Sequence, residues 1–94
     1  MTKDSKKTVD EIIKDLSSRQ GLDYQWYQTK DEVKQEIRSE WQEIIENNSD
    51  PKKAADKIIG NLSSRQEFDS EWKKIDEDIK DMINKILIEI IKFN

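Results

Sequence analysis

The sequence predicts an all-α protein, a tandem duplication of a helical hairpin packed as a four-helix bundle. Apolar residues recur three and four positions apart along most of the chain, which is the spacing of one helix face. No alternating run of β-branched or aromatic residues predicts a strand. The chain also matches itself when it is shifted by 46 positions.

The internal match predicts one domain over residues 1–94, with repeat 1 at 4–48 and repeat 2 at 50–94. The two segments align without a gap, and 19 of the 45 aligned pairs are identical. The sequence LSSRQ recurs whole, first from Leu16 to Gln20 and again from Leu62 to Gln66. A repeat of this length indicates one supersecondary unit used twice. Roughly 100 residues usually bury a single core, so we expect the repeats to share it.

The first helix of each repeat has a clear apolar stripe. In repeat 1 the stripe predicts a helix over about residues 5–16, and it consists of Val9, Ile12, Ile13 and Leu16. Its copy in repeat 2 follows Ser49-Asp50-Pro51, a capping residue and then a proline where a helix start tolerates one.

The second helix of each repeat is either long or broken. Over residues 67–93 an unbroken helix would be about 40 Å long. In repeat 1, Thr29 and Glu32 match a capping box, which predicts a break near residue 29. Asp76 can cap a helix at the matching place in repeat 2. The sequence therefore leaves open four helices or six shorter ones.

The repeated Ser-Ser-Arg-Gln element has two interpretations. In the functional one, Arg19 and Arg65 bind an anion or a partner protein beside a helix start. In the structural one, which we favour, Ser17 and Gln20 form a capping box, as do their copies in repeat 2. Arg19 would then pair with Asp23 and stack on Trp26.

Aromatic residues differ between the repeats. We expect Trp26 and its copy Trp72 to anchor the core. Trp41, beside Glu40, is expected at a boundary or partly exposed, which makes it a candidate partner-binding residue. Tyr24 and Tyr27 have no aromatic counterpart in repeat 2. They offer the kind of contact area that is enriched at binding hot spots, or they cover one end of the bundle.

The C-terminal segment is more apolar than its counterpart in repeat 1. Ile86, Ile88 and Phe93 stand where repeat 1 has polar residues, and Ile88 lies about 200° around the helix from Ile86. A helix that is apolar on more than one face indicates self-association, a partner groove, or the central helix of an asymmetric bundle.

Composition excludes several functional classes. The chain has no Cys and no His, and its formal net charge is −4. Disulfides, thiolate or imidazole metal ligands and His-activated nucleophiles are therefore absent. We predict no catalytic site, no cofactor and no metal, because the carboxylate clusters are typical of solvated helix faces. With no apolar segment near the roughly 20 residues of a membrane span, a cytoplasmic protein is expected.

These observations predict a non-enzymatic protein that binds another protein or a second copy of itself. A small regulatory or inhibitory protein, of the kind that phages and mobile elements encode, fits this description. The alternative is a nucleic-acid-associated protein that uses Arg19, Arg65 and nearby lysines, or an acidic mimic of nucleic acid. The net negative charge argues against phosphate binding and against a membrane surface.

Overall fold

Six α-helices make up most of residues 4–94, the part of the chain that the computed structural model describes. They are α1 (Ser5–Leu16), α2 (Leu22–Gln28), α3 (Asp31–Asn47), α4 (Pro51–Ser64), α5 (Asp69–Lys73) and α6 (Glu77–Phe93). No strand occurs within residues 4–94. The predicted all-α class is confirmed.

The four longer helices form a closed ring. α1 packs on α3, α3 on α4, α4 on α6, and α6 on α1, while the short helices α2 and α5 contact each other. The bundle is therefore four-helical at its centre, and the second helix of each predicted hairpin is broken into a short and a long piece. Of the two possibilities that the sequence left open, six helices is the one found.

The core consists of the residues that helical periodicity places on the inner faces. Val9, Ile12 and Ile58 are fully buried, as are Ile37 and Ile83 on the long pieces. They belong to one cluster to which all six helices or their caps contribute. Burial of a large aliphatic side chain contributes about 1.5–3 kcal/mol, so this shared cluster holds the ring together.

Two of the predicted helix starts are formed as expected. Asp4 caps α1, because its Oδ1 accepts a hydrogen bond from the backbone N–H of Lys7 at 3.1 Å. Asp50 caps α4 by accepting from the N–H of Lys52 at 3.0 Å, and Pro51 occupies the first turn. The predicted first helix, at residues 5–16, coincides with α1.

The breaks lie where they are predicted, but the Thr29 cap is not formed. α3 begins after Lys30, and Thr29 instead donates its hydroxyl to the carbonyl of Gln25 at 2.6 Å, inside the preceding helix. This bond buries the hydroxyl at the end of α2, so the Thr29 side chain cannot cap the start of α3. Asp76 does stand at the N-cap of α6, although its side chain makes no capping hydrogen bond.

The predicted Ser-x-x-Gln capping boxes are also wrong. Ser17 follows α1 and Ser63 lies inside α4, and each hydroxyl donates to a carbonyl three residues earlier. Both serines satisfy acceptors at a helix end, whereas a capping box satisfies donors at a helix start. α2 begins instead after Gly21, whose φ of +92° suits a residue without a side chain.

The helix order repeats along the chain. α3 and α6 have bounds that differ by 46 residues at both ends, and α1 and α4 begin 46 residues apart. α4 continues to Ser64, two residues past the position that aligns with the end of α1, and Glu67 stands in the second half where the first has Gly21. The duplication itself stays a prediction from the sequence.

Candidate protein-binding surfaces

Arg65 lies between α3 and α4 and is bound within the chain. Its Nη2 donates to Glu40 Oε2 at 2.7 Å, and its Nε donates to Asn61 Oδ1 at 3.0 Å. Only 12% of its side chain is exposed. A guanidinium with these partners is largely unavailable for a phosphate or a partner protein. The interpretation of Arg65 as an anion-binding or partner-binding residue therefore loses its main support.

Trp41 is buried, and the prediction that it lies partly exposed is wrong. It is 1% exposed, and its indole Nε1 donates to Asn61 Oδ1 at 2.9 Å. Asn61 in turn donates to Glu40 Oε1 at 3.0 Å. The neighbouring acid made Trp41 look like a boundary residue, but a 100° step around the helix separates the two side chains. We call Glu40, Trp41, Asn61 and Arg65 the α3–α4 network.

The network changes the acidity of Glu40. Partial burial by itself raises the pKa of Glu40, but hydrogen bonds from Asn61 and Arg65, together with the charge of Arg65, lower it further than burial raises it. The net result is a pKa below the ordinary value. Glu40 therefore remains a carboxylate, which the neighbouring guanidinium requires.

Arg19 makes a simpler contact than the sequence predicts. Its Nε donates to Asp15 Oδ2 at 3.1 Å, one turn earlier on the chain, and the predicted pair with Asp23 does not form. Asp23 instead accepts from the backbone N–H groups of Gly21 and Tyr24. The prediction chose Asp23, four residues after Arg19, although Asp15, four residues before it, can form the same contact on a helix.

Trp26 is held by three side chains. Its ring stacks on Phe68 with centroids 6.3 Å apart, while Lys34 and Arg38 lie over the ring at 5.2 and 5.8 Å from its centroid. Arg38, rather than the predicted Arg19, is thus the arginine on this indole. Trp72 is buried as expected.

Tyr24 and Tyr27 project from α2 into solvent. They are 61% and 83% exposed, which makes Tyr27 the most exposed large apolar side chain of residues 4–94. Tyr24 is oriented by Gln28, whose Nε2 donates to the phenol oxygen at 2.7 Å. We call these two residues the tyrosine surface. They do not cover the end of the bundle.

α6 carries a second exposed apolar surface. Phe93 is 76% and Met82 is 50% exposed, Ile79 is less so, and Ile86 is half-buried. Ile90 is also half-buried, and it packs in part against the buried cluster. These five residues share one side of the helix, and we call them the α6 stripe. α6 is not a central helix, because only one side of it faces the core.

Ile88 belongs to the core side instead. It is half-buried and packs against the buried cluster, which Ile86 does not. The two residues are about 200° apart around the helix, so one helix face cannot include both. Ile88 is therefore an unsuitable partner-binding residue, while Ile86 and Phe93 keep that assignment.

Sequence reasoning missed several residues of these surfaces. Asn61 could have been found from its position four residues before Arg65. No pattern in the sequence pairs Glu40 with Arg65, because the two residues lie on different helices. Helical spacing carries no signal that Met82 and Ile79 stay exposed, because only the packing of the ring decides which side of α6 faces the core.

Among residues 4–94 no group of three or more acidic side chains is placed to hold a metal ion. No helix there is long and apolar enough to cross a membrane.

Comparison with protein-family models, with curated proteins and with solved structures finds no match to this chain. The candidate surfaces are therefore interpreted from their own chemistry.

Proposed function

We propose that this protein is non-enzymatic and acts by binding another protein through the tyrosine surface. The observation that carries the proposal is the exposure of Tyr24 and Tyr27 side by side on a short, well-anchored helix. Tyrosine supplies a large, amphipathic contact area and loses few rotamers on binding, which explains its enrichment at hot spots.

The anchoring of α2 supports the proposal. Leu22 is buried at its start, and Trp26 is fixed between Phe68 and the cations of Lys34 and Arg38. A surface that is already rigid loses little conformational entropy when a partner binds. Nothing in the fold requires two tyrosines to stand in water at this place.

Charge indicates the chemistry of the partner. Residues 4–48, which include the tyrosine surface, carry 7 basic and 11 acidic side chains, whereas residues 50–94 carry 9 and 10. A net negative charge on this half of the protein accelerates association with a basic protein surface through long-range attraction. We therefore expect the partner to present a basic patch, and the protein to act as a regulator or inhibitor by covering it.

The alternative of nucleic-acid binding has less support. Arg19 and Arg65 both donate to side chains of their own chain, and the net charge is negative. Phosphate contacts would make binding fall steeply with added salt.

The second half of the chain supplies a substitution that tests the proposal. Tyr24→Ser with Tyr27→Lys installs the residues found at the aligned positions Ser70 and Lys73. Both tyrosines are exposed, so folding should be unaffected. The matched control is Ser70→Ala with Lys73→Ala, which changes exposed positions of α5.

The experiment is quantitative capture from an extract of the source organism, followed by titration with the purified captured protein. Loss of two hot-spot tyrosines should weaken that complex by about 100-fold or more, while the control should bind as the native chain does. A complex of unchanged affinity with the tyrosine variant would refute the proposal.

A further inference from the structure

The α6 stripe has a symmetric pattern. Counted from Ile86, its other members stand at −7, −4, +4 and +7, and they are Ile79, Met82, Ile90 and Phe93. The mean spacing of 3.5 residues is that of two helices packed in a left-handed supercoil. The stripe extends about 21 Å along α6, roughly four turns.

We propose that the α6 stripe binds a second copy of this chain, with the two α6 helices antiparallel and a two-fold axis at Ile86. In such a pair, residues equally far from Ile86 in opposite directions lie level with each other. Ile79 meets Phe93 of the second copy, and Met82 meets Ile90 of the second copy. A two-fold interface needs this self-complementarity, because each contact occurs twice with the roles exchanged.

A row of charges beside the stripe fits the same arrangement. Asp78, Lys85, Glu89 and Lys92 are all exposed and fall within about 60° of one another around the helix. None of the four forms an ion pair within the part of the chain that is described. α1 lies on the other side of the stripe, since Asp15 lines a groove with Ile79. Lys92 lies over the Phe93 ring, 5.6 Å from its centroid, and the row otherwise faces away from the bundle, where a second chain can reach it.

The charges in this row are complementary to those of the same row on an antiparallel second copy. Along the chain it is negative, positive, negative, positive, so an antiparallel copy presents opposite charges. With the axis at Ile86, Asp78 is offset by two residues, about 3 Å along the axis, from Lys92 of the second copy. Lys85 has the same offset from Glu89 of the second copy. Each pairing occurs twice, which gives four ion pairs along one edge of the interface.

The α6 stripe exposes apolar side chains to water. Met82 and Phe93 expose apolar side chains about three turns apart on the same side of α6, and Ile86 between them does not pack against the core. An antiparallel copy covers all five members of the stripe at once. This proposal uses neither Tyr24 nor Tyr27, so it and the proposed function can fail separately.

The first test is the mass in solution. Light scattering behind size exclusion, over a concentration series up to millimolar, should give a mass that rises towards twice 11.2 kDa. Ile86→Glu places two carboxylates at the axis and should weaken the dimer by about 100-fold. Gln35→Glu, which adds the same charge at an exposed position of α3, should leave the mass unchanged. A monomer at every concentration of the native chain overturns the proposal.

The second test fixes the orientation and does not depend on apolar substitutions. Lys85→Glu and Glu89→Lys should each weaken the homodimer by about tenfold, because each reverses one member of a pair that occurs twice. A mixture of the two variants restores both pairs, so it should form a heterodimer of near-native affinity. If a substitution weakened the dimer only by changing contacts within its own α6 helix, mixing the two variants would not restore the affinity. Two variants that stay as weakly associated when mixed as they are alone would refute the antiparallel register.

Discussion

Asn61 makes three side-chain hydrogen bonds, two of which join α4 to α3 while the third holds Arg65 at the end of α4. Its Oδ1 accepts from Trp41 and Arg65, and its Nδ2 donates to Glu40. Within residues 4–94 no buried side-chain N or O atom lacks a hydrogen-bond partner. One amide thus satisfies a buried indole and orients the Arg65–Glu40 ion pair, whose guanidinium is 12% and whose carboxylate is 42% exposed.

We expect Asn61→Ala to lower the free energy of unfolding by about 2 kcal/mol, because it leaves the indole N–H of Trp41 buried without an acceptor. In a domain of this size the melting temperature should fall by about 10 °C. Thermal unfolding followed by circular dichroism measures the change.

Asp15 is the control, since it aligns with Asn61 and binds Arg19 in the same i−4 geometry. Asp15→Ala removes only a partly exposed ion pair and should cost less than about 1 kcal/mol. Equal losses for the two variants would contradict the role assigned to the α3–α4 network.

The residue scale is also where sequence reasoning failed most. Trp41 looked like a boundary residue because Glu40 precedes it. For Arg19 and Arg65, the residues four positions before and four positions after were both candidate hydrogen-bond partners. Contacts of this kind depend on which helix lies opposite. Helical periodicity describes one helix at a time, so it could not identify Glu40 as the partner of Arg65.

At the scale of elements the sequence was more informative. Local patterns predict the bounds of α1, the proline at the start of α4 and the positions of the breaks near residues 29 and 76. Local patterns suffice there because a cap or a break depends on a few consecutive residues. The capping hydrogen bonds on which the two breaks were predicted are not formed. The Ser-x-x-Gln boxes failed since the same residues can end a helix.

The two glycines should respond oppositely to alanine. Gly21 has a φ of +92°, and an added Cβ would lie 2.8 Å from Glu71 Oε2. That oxygen ends a flexible side chain and can move, so the main cost of Gly21→Ala is backbone strain of about 1–2 kcal/mol. Gly60 lies inside α4 with nothing within 4 Å of an added Cβ. Gly60→Ala should therefore stabilise the protein by about 0.5–1 kcal/mol.

Chemical denaturation of the two glycine variants measures both changes. A similar slope against denaturant would show that the same surface is exposed on unfolding. Stabilisation by Gly21→Ala would mean that the turn before α2 does not need a left-handed residue.

At the scale of the whole molecule, neither half completes the ring. α1 and α3 contact each other, but their remaining neighbours α6 and α4 belong to the other half. The shared core cluster draws on both halves, with Ile12 and Ile37 from one and Ile58 and Ile83 from the other. Separating the halves exposes these side chains to water.

We therefore expect fragments 1–48 and 49–94 to be largely unfolded alone, because isolated helices of this length are marginal in water. Mixing them at equal concentration should restore helicity, as circular dichroism at 222 nm would measure. Full helicity in either fragment alone would contradict the dependence of each half on the other.

The closure of the ring by α1 and α6 also sets an order of events during synthesis. The first helix of the ring packs on the last one, so the apolar face of α1 has one of its two neighbours missing while the intervening residues are made. At about 5–20 residues per second, that wait lasts roughly 4–15 seconds. For that time α1 can pair with α3, yet its side towards α6 stays open to water or to a chaperone.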